Sequence, residues 1–196
     1  MHGIDCEDIG ANTFILGELP STPARVLEVG CGSGELARAM AEVGHEILAI
    51  DPDAPEGPLF RRTRIEDFDG TETFDAVIAQ LSLHHVADLG TALDKVVDLL
   101  APQGRLVIDD FGWERLDEAA AEAVGICFDE WHDEHEHLHT AEAMLVELDD
   151  RFVRRTFSWE PFLFREQRRV IDEARERSLI AEGRLSALGF QYVGTC

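Results

Sequence analysis

Residues 26–34 read Val26-Leu-Glu-Val-Gly-Cys-Gly-Ser-Gly34, a short apolar run rich in β-formers that stops at a glycine-spaced loop. After it, Leu36, Ala37, Met40 and Ala41 recur at helical spacing until Gly44, and residues 46–50 form a second apolar run closing on Asp51. The order is strand, glycine loop, helix, strand. Residues 74–79 predict another strand, Ala92, Val96, Val97 and Leu100 a helical stripe, and residues 104–108 a further strand after Pro102. Strands that are apolar along their whole length, alternating with helices, predict an α/β fold with a parallel sheet covered on both faces.

Farther out the pattern changes. Pro52, Pro55, Gly57 and Pro58 exclude a regular helix after Asp51, so a loop leads to a short third strand near residues 61–65. Residues 115–127 are Ala- and Glu-rich and predict a helix. Thr140 is placed to cap a helix whose apolar stripe is Ala141, Met144, Leu145 and Leu148. Residues 152–159 read as a strand, 166–188 as mostly helical with Gly189 as the stop, and 190–194 as a final strand.

With 196 residues, the chain fits one domain. Forty Asp and Glu against 17 Lys and Arg give a formal charge of −23, a field that repels phosphate backbones and anionic lipid. Nucleic acid and membrane are therefore not expected partners. No apolar run approaches the ~20 residues of a membrane span and the first residues lack a signal-peptide pattern, so a cytoplasmic location is expected. Residues 113–150 are strongly acidic and residues 151–184 are Arg-rich, an asymmetry able to pair two faces of one subunit or two subunits. A monomer or weak homodimer is expected. Cys6, Cys31, Cys127 and Cys196 form no C-x-x-C pair, which predicts free thiols.

A glycine loop between a first strand and a first helix lets backbone approach a ligand closely. Gly30, Gly32 and Gly34 follow G-x-G-x-G rather than the G-x-G-x-x-G of dinucleotide sites, and Glu35 stands where phosphates would lie. That disfavours NAD. Cys31 inside the loop has no base or cation near it in sequence and reads as a small filler.

The run from Val26 to Gly34 resembles motif I of the class I S-adenosylmethionine-dependent methyltransferases. The likeness continues through Ala49-Ile-Asp51, Ile65-Glu-Asp-Phe68, Phe74-Asp-Ala-Val-Ile-Ala79 with Leu83-His-His-Val86, and Leu99-Leu-Ala-Pro-Gln-Gly-Arg-Leu106. It implies a Rossmann-like sheet of seven strands, six parallel and the last antiparallel. By the same likeness residues 25–110 are the cofactor-binding core, 1–24 an N-terminal cover, 111–150 a helical substrate cover and 151–196 the C-terminal strands and helix. The implied cofactor is S-adenosyl-L-methionine. Gly30, Cys31, Gly32 and Gly34 would pass beneath its methionine part, Glu28 would hold the α-amino group, and Asp51 beside Pro52 would take the ribose hydroxyls. Ile65 and Glu66 (or Asp67) would read the adenine edge, although many relatives carry Asp where this chain has Arg64. Gln80 and Leu81 would line the methyl-donor end.

For the acceptor, the resemblance implies a small organic molecule methylated on oxygen or nitrogen. A protein or peptide acceptor, or a non-catalytic cofactor-binding protein that engages a partner through its acidic face, are the other readings. His85, Asp110 and His132 are the candidate bases, His85 with an alternative role in orienting its loop. Trp113, Phe128, Trp131, Trp159, Phe162 and Phe164 are the aromatic candidates for the acceptor pocket. His135-Glu-His-Leu-His139 matches H-E-x-x-H, yet it follows an acidic stretch and precedes the helix capped by Thr140, so solvated imidazoles and no metal are expected. The acidic segment favours neutral or cationic acceptors.

Overall fold

A computed structural model describes residues 9–196. Seven strands form one sheet: β1 (Arg25–Val29), β2 (Glu46–Asp51), β3 (Phe60–Arg62), β4 (Phe74–Gln80), β5 (Leu100–Phe111), β6 (Val153–Glu160) and β7 (Gly189–Thr195). Their order is β3-β2-β1-β4-β5-β7-β6, with β7 antiparallel to both β5 and β6 and the other pairs parallel. Six strands therefore run one way and the last in chain order runs against them, as the resemblance implied.

Both faces are buried because successive residues point to opposite sides. Leu27, Val77, Leu106 and Ile108 face α3 (Leu89–Leu99) and α6 (Ala141–Arg151), while Val26, Ala76, Ile78 and Val107 face α1 (Ile9–Glu18) and α2 (Glu35–Glu42). Thr140 caps α6 by accepting from the Ala143 N–H at 3.1 Å, and Ala141, Met144 and Leu148 are buried, as the stripe predicted. A smaller third cluster joins α4 (Glu118–Val124), α5 (Phe128–His135), α7 (Leu163–Glu166) and α8 (Glu173–Ala181) around Phe111, Trp131, Phe162 and Leu179.

The structure corrects several sequence expectations. β3 is shorter and earlier than residues 61–65, because Ala49 pairs with Phe60 directly across the proline loop. β5 extends to Phe111, so Asp110 lies within the strand instead of after it. Residues 166–188 are helical only in part. Asp172 opens α8, Gly183 at φ +69° ends it, and Leu185 and Leu188 are buried in non-helical chain, tertiary burial overriding helix propensity. Gly189 is a strand residue, not the helix stop. Residues 128–135 are a helix, not a pre-helical loop, because Trp131 and His135, four apart, stack at 4.0 Å against the third cluster. Of the expected N-terminal cover, residues 1–8 lie outside the described residues. Phe14, Ile15 and Leu19 pack on the sheet face with Val26 and Met40. Cys31, Cys127 and Cys196 are free thiols, and Cys6 lies outside the described residues. No helix among the described residues is long and apolar enough to cross a membrane.

Candidate active site

The carboxyl ends of β1, β2 and β4 open on a cavity of about 370 Å³. That is where a parallel sheet whose strand order reverses, here between β1 and β4, places ligands. Its wall includes Gly30, Gly32, Asp51, Pro52, Ile65 and Glu66 from the expected set, with Leu81 and His85 closing one end. Asp51 ends β2, and its carboxylate accepts from the Gly32 N–H at 3.1 Å and the Asp53 N–H at 2.8 Å, so the ribose candidate also clamps the glycine loop.

Two glycines are required here for different reasons. A Cβ on Gly30 (φ +76°) would lie 2.2 Å from the Ser82 Cβ, and Ser82 Oγ in turn donates to the Val29 carbonyl at 2.7 Å. Gly34 (φ +78°) is not among the residues lining this cavity; a Cβ there would meet the Phe60 ring at 2.3 Å. Its role is close packing of the loop against β3. Cys31 likewise turns away, packed with Ala37, Ala49 and Ala54, and burial pushes its thiol up to about 12, so it is the filler expected and not a lining group.

Glu28 is 3% exposed and its Oε2 has no hydrogen-bond partner among the described residues. Burial raises its carboxyl to about 8, with a backbone bond at Ala37 opposing and Asp51 reinforcing the rise. Gln80 departs from expectation: its amide turns to Asp109 at 3.4 Å instead of lining the cavity. Leu81 takes φ +47°, a conformation costing a branched L-residue roughly 1–2 kcal/mol. The bond from its N–H to the Asp109 carbonyl at 2.9 Å holds it there.

A second cavity, of about 520 Å³, adjoins the first and shares Leu81 and His85 with it. Phe111 and Phe162, stacked at 4.1 Å, supply aromatic surface, and His84, His135, His137 and Arg165 supply polar groups. Arg165 is held by a 3.0 Å ion pair with buried Asp109. His135 bonds the Trp131 carbonyl at 2.7 Å and Glu166 at 3.2 Å; burial lowers its pKa, but these bonds outweigh it and the net shift is upward.

Of the three candidate bases, only His85 reaches a cavity. Burial and neighbouring His84 lower its pKa, which keeps it neutral near pH 7. Asp110 is wholly buried, accepting from the Leu83 N–H at 3.0 Å, the Phe111 N–H at 2.8 Å and the His84 imidazole at 2.6 Å. His132 lies against Trp113 and near Glu136, bordering neither cavity. Of the aromatic candidates Phe162 alone lines the second cavity, joined by Phe111, which the sequence did not suggest. The H-E-x-x-H histidines are not solvated as expected. His135 points to Glu166, while His139 lies beyond the end of α5 and its Nε2 meets the Val86 carbonyl at 2.7 Å, so the two share no helical face.

Comparison with known proteins agrees with this geometry. A sequence profile described as a methyltransferase domain matches residues 9–151, nearly three quarters of the chain. The chain belongs to this methyltransferase family. The ubiquinone biosynthesis O-methyltransferase of Bradyrhizobium diazoefficiens is 32% identical over 97 residues, 43% of this chain and 38% of that protein. Methyltransferase str2 of Strobilurus tenacellus is 34% identical over 137 residues, 63% of this chain and 50% of its own length. The chain thus spans about two fifths to one half of these methyltransferases. In fold, it matches the Burkholderia thailandensis 1,6-didemethyltoxoflavin-N1-methyltransferase, solved with bound 1,6-didemethyltoxoflavin and S-adenosylhomocysteine, at TM-score 0.58 and 19% identity. That match covers 96% of this chain and 76% of the other.

Proposed function

We propose that this member of the methyltransferase family uses S-adenosylmethionine to methylate a small organic molecule on oxygen or nitrogen. The carrying observation is the pair of adjoining cavities that meet at Leu81 and His85, one built on the glycine loop and Asp51, the other aromatic and ringed by imidazoles.

The residues fit the cofactor. Glu28, one residue before the lining Val29 and Gly30, keeps Oε2 buried and without a partner among the described residues, which suits an ammonium donor, and Asp51 at the strand end retains acceptor capacity for two hydroxyls beyond its two backbone bonds. Ile65 and Glu66 border the region that suits the adenine. When bound, the cofactor supplies an electrophilic methyl on a sulfonium sulfur. The chain contributes alignment and exclusion of water: Leu81 and His85 stand at the junction where acceptor and methyl donor would be brought into line. Arg165 and the stacked Phe111 and Phe162 form a wall suited to a flat acceptor.

The test is incubation of the chain with methyl-labelled S-adenosylmethionine and a panel of small phenols, alcohols, amines and carboxylic acids. Labelled product from any of them, with release of S-adenosylhomocysteine, supports the reading. Label transferred only to protein or RNA would replace it.

A further inference from the structure

The sequence offered Asp110 itself as a base, and its burial forbids that. What it does instead is hold the neighbouring histidine. We propose that His84, oriented by Asp110, is the proton acceptor for a weakly acidic hydroxyl on the methyl acceptor, an assignment that rests on the methyltransferase reading above.

Asp110 Oδ1 receives the Phe111 N–H at 2.8 Å and lies 2.6 Å from His84 Nδ1, while Oδ2 receives the Leu83 N–H at 3.0 Å. A carboxylate that already takes two backbone N–H donors can only accept from the ring, so the imidazole hydrogen sits on Nδ1. Nε2 is left with its lone pair. The ring is fixed between Phe111, edge-on at 4.8 Å, and His85 at 4.2 Å, and it lines the second cavity, where Nε2 bonds no described residue. An imidazole that lines a ligand cavity, with one nitrogen held by a buried carboxylate and the other bonded to no described residue, is the arrangement in which the ring takes a proton and the carboxylate steadies the resulting cation.

His85 lies beside His84 on the same turn, and Glu134, His135 and His137, from α5 and the chain just after, line the same cavity. Arg165, Glu166 and Arg168 close the far side, with Arg165 paired to Asp109 and Glu166 to His135. His85, by contrast, has no orienting partner among the described residues.

In the step, an oxygen lone pair of the acceptor forms the bond to the methyl carbon and the carbon–sulfur electron pair stays on sulfur. The hydroxyl proton passes to His84 Nε2, Asp110 remains a carboxylate bonded to Nδ1–H, and the proton later leaves to water. A phenol-type or enolic hydroxyl gives up its proton far more readily than an aliphatic alcohol, and the stacked Phe111 and Phe162 suit the same flat class.

The experiment uses the chain loaded with S-adenosylhomocysteine and 4-nitrophenol as probe, at a pH below the probe's own ionisation. Binding should generate the visible phenolate band, with His84 imidazole nitrogen shifts moving from the Nδ1–H neutral form to the imidazolium. His84→Gln should remove the band and slow methylation of 4-nitrophenol by about 100-fold or more, with S-adenosylhomocysteine affinity held within about twofold. His132→Gln, at a position that borders neither cavity, should keep the band. Failure to bind S-adenosylhomocysteine would sink the methyltransferase reading on which this rests. Binding of it with no phenolate band in the wild type, or a band and rate that survive His84→Gln, would overturn the dyad alone. Should His84→Gln fail to fold, the wild-type band and nitrogen shifts still decide.

Discussion

Burial lifts the Glu28 carboxyl from 4.5 to about 8, the Ala37 backbone bond opposes this and Asp51 adds to it. A group whose folded value exceeds its unfolded one contributes its stability fully below about 4.5 and loses it as pH rises through about 8. The ligand-free chain should therefore become less stable from pH 4.5 to 8 in thermal unfolding, and Glu28→Gln should flatten that slope. A slope identical in the two proteins would contradict the assignment. An arriving ammonium group should drive the same proton off. Titration with S-adenosylhomocysteine near neutral pH, in buffers of different ionisation heat, should show proton release from the wild type and little from Glu28→Gln. The buried unpartnered oxygen is invisible in sequence, where Glu28 is one acid among 40 Asp and Glu; only the family likeness singled it out.

Helix α7 carries Phe162, its preceding residue, and Arg165 to the second cavity, and one side chain from α8 anchors it. Glu176, wholly buried, accepts from the backbone N–H groups of Phe162, Leu163 and Phe164 at 2.7, 3.0 and 2.8 Å. Glu176→Ala should cost about 2–4 kcal/mol in denaturant unfolding, since it leaves three donors without an acceptor. A cost below about 0.5 kcal/mol, the level of an ordinary surface change, would refute that role. The strand–loop–helix–strand start was legible because Val26, Leu27, Ile47 and Leu48 have no other use than burial and the glycines mark the loop. Helix α5 was not legible, because its acids mask the two positions, Trp131 and His135, that tether it to the third cluster. The same holds for the second cavity: His84, Phe111 and Arg165 come from distant parts of the chain and meet only through β5 and α7. At this level the H-E-x-x-H histidines are held by different partners, His135 by Glu166 and His139 by the Val86 carbonyl, and no catalytic metal is expected there. Chelator treatment should leave methyl transfer unchanged; activity lost to chelation and restored by zinc would reverse the assignment.

Across the whole molecule the formal charge of −23 sets a long-range field that favours cations. S-adenosylmethionine carries one more positive charge than S-adenosylhomocysteine. Its association rate should therefore fall more steeply with added salt in stopped-flow binding, and equal salt slopes would show that the field does not reach the cavity. The acidic segment was expected to select neutral or cationic acceptors, but the cavity wall itself mixes Arg165, Arg168 and imidazoles with Glu134 and Glu166, so local pairing and not net charge governs that choice. Everything in this account depends on the cavity at Asp51 holding the adenosyl cofactor. The direct measurement is calorimetric titration of the purified chain with S-adenosylhomocysteine, beside NAD and beside Asp51→Ala. The account predicts one saturable site of roughly micromolar affinity, weakened by about 2–4 kcal/mol in Asp51→Ala through loss of the ribose acceptor, and no NAD binding. Tight NAD binding with no heat from S-adenosylhomocysteine would contradict it.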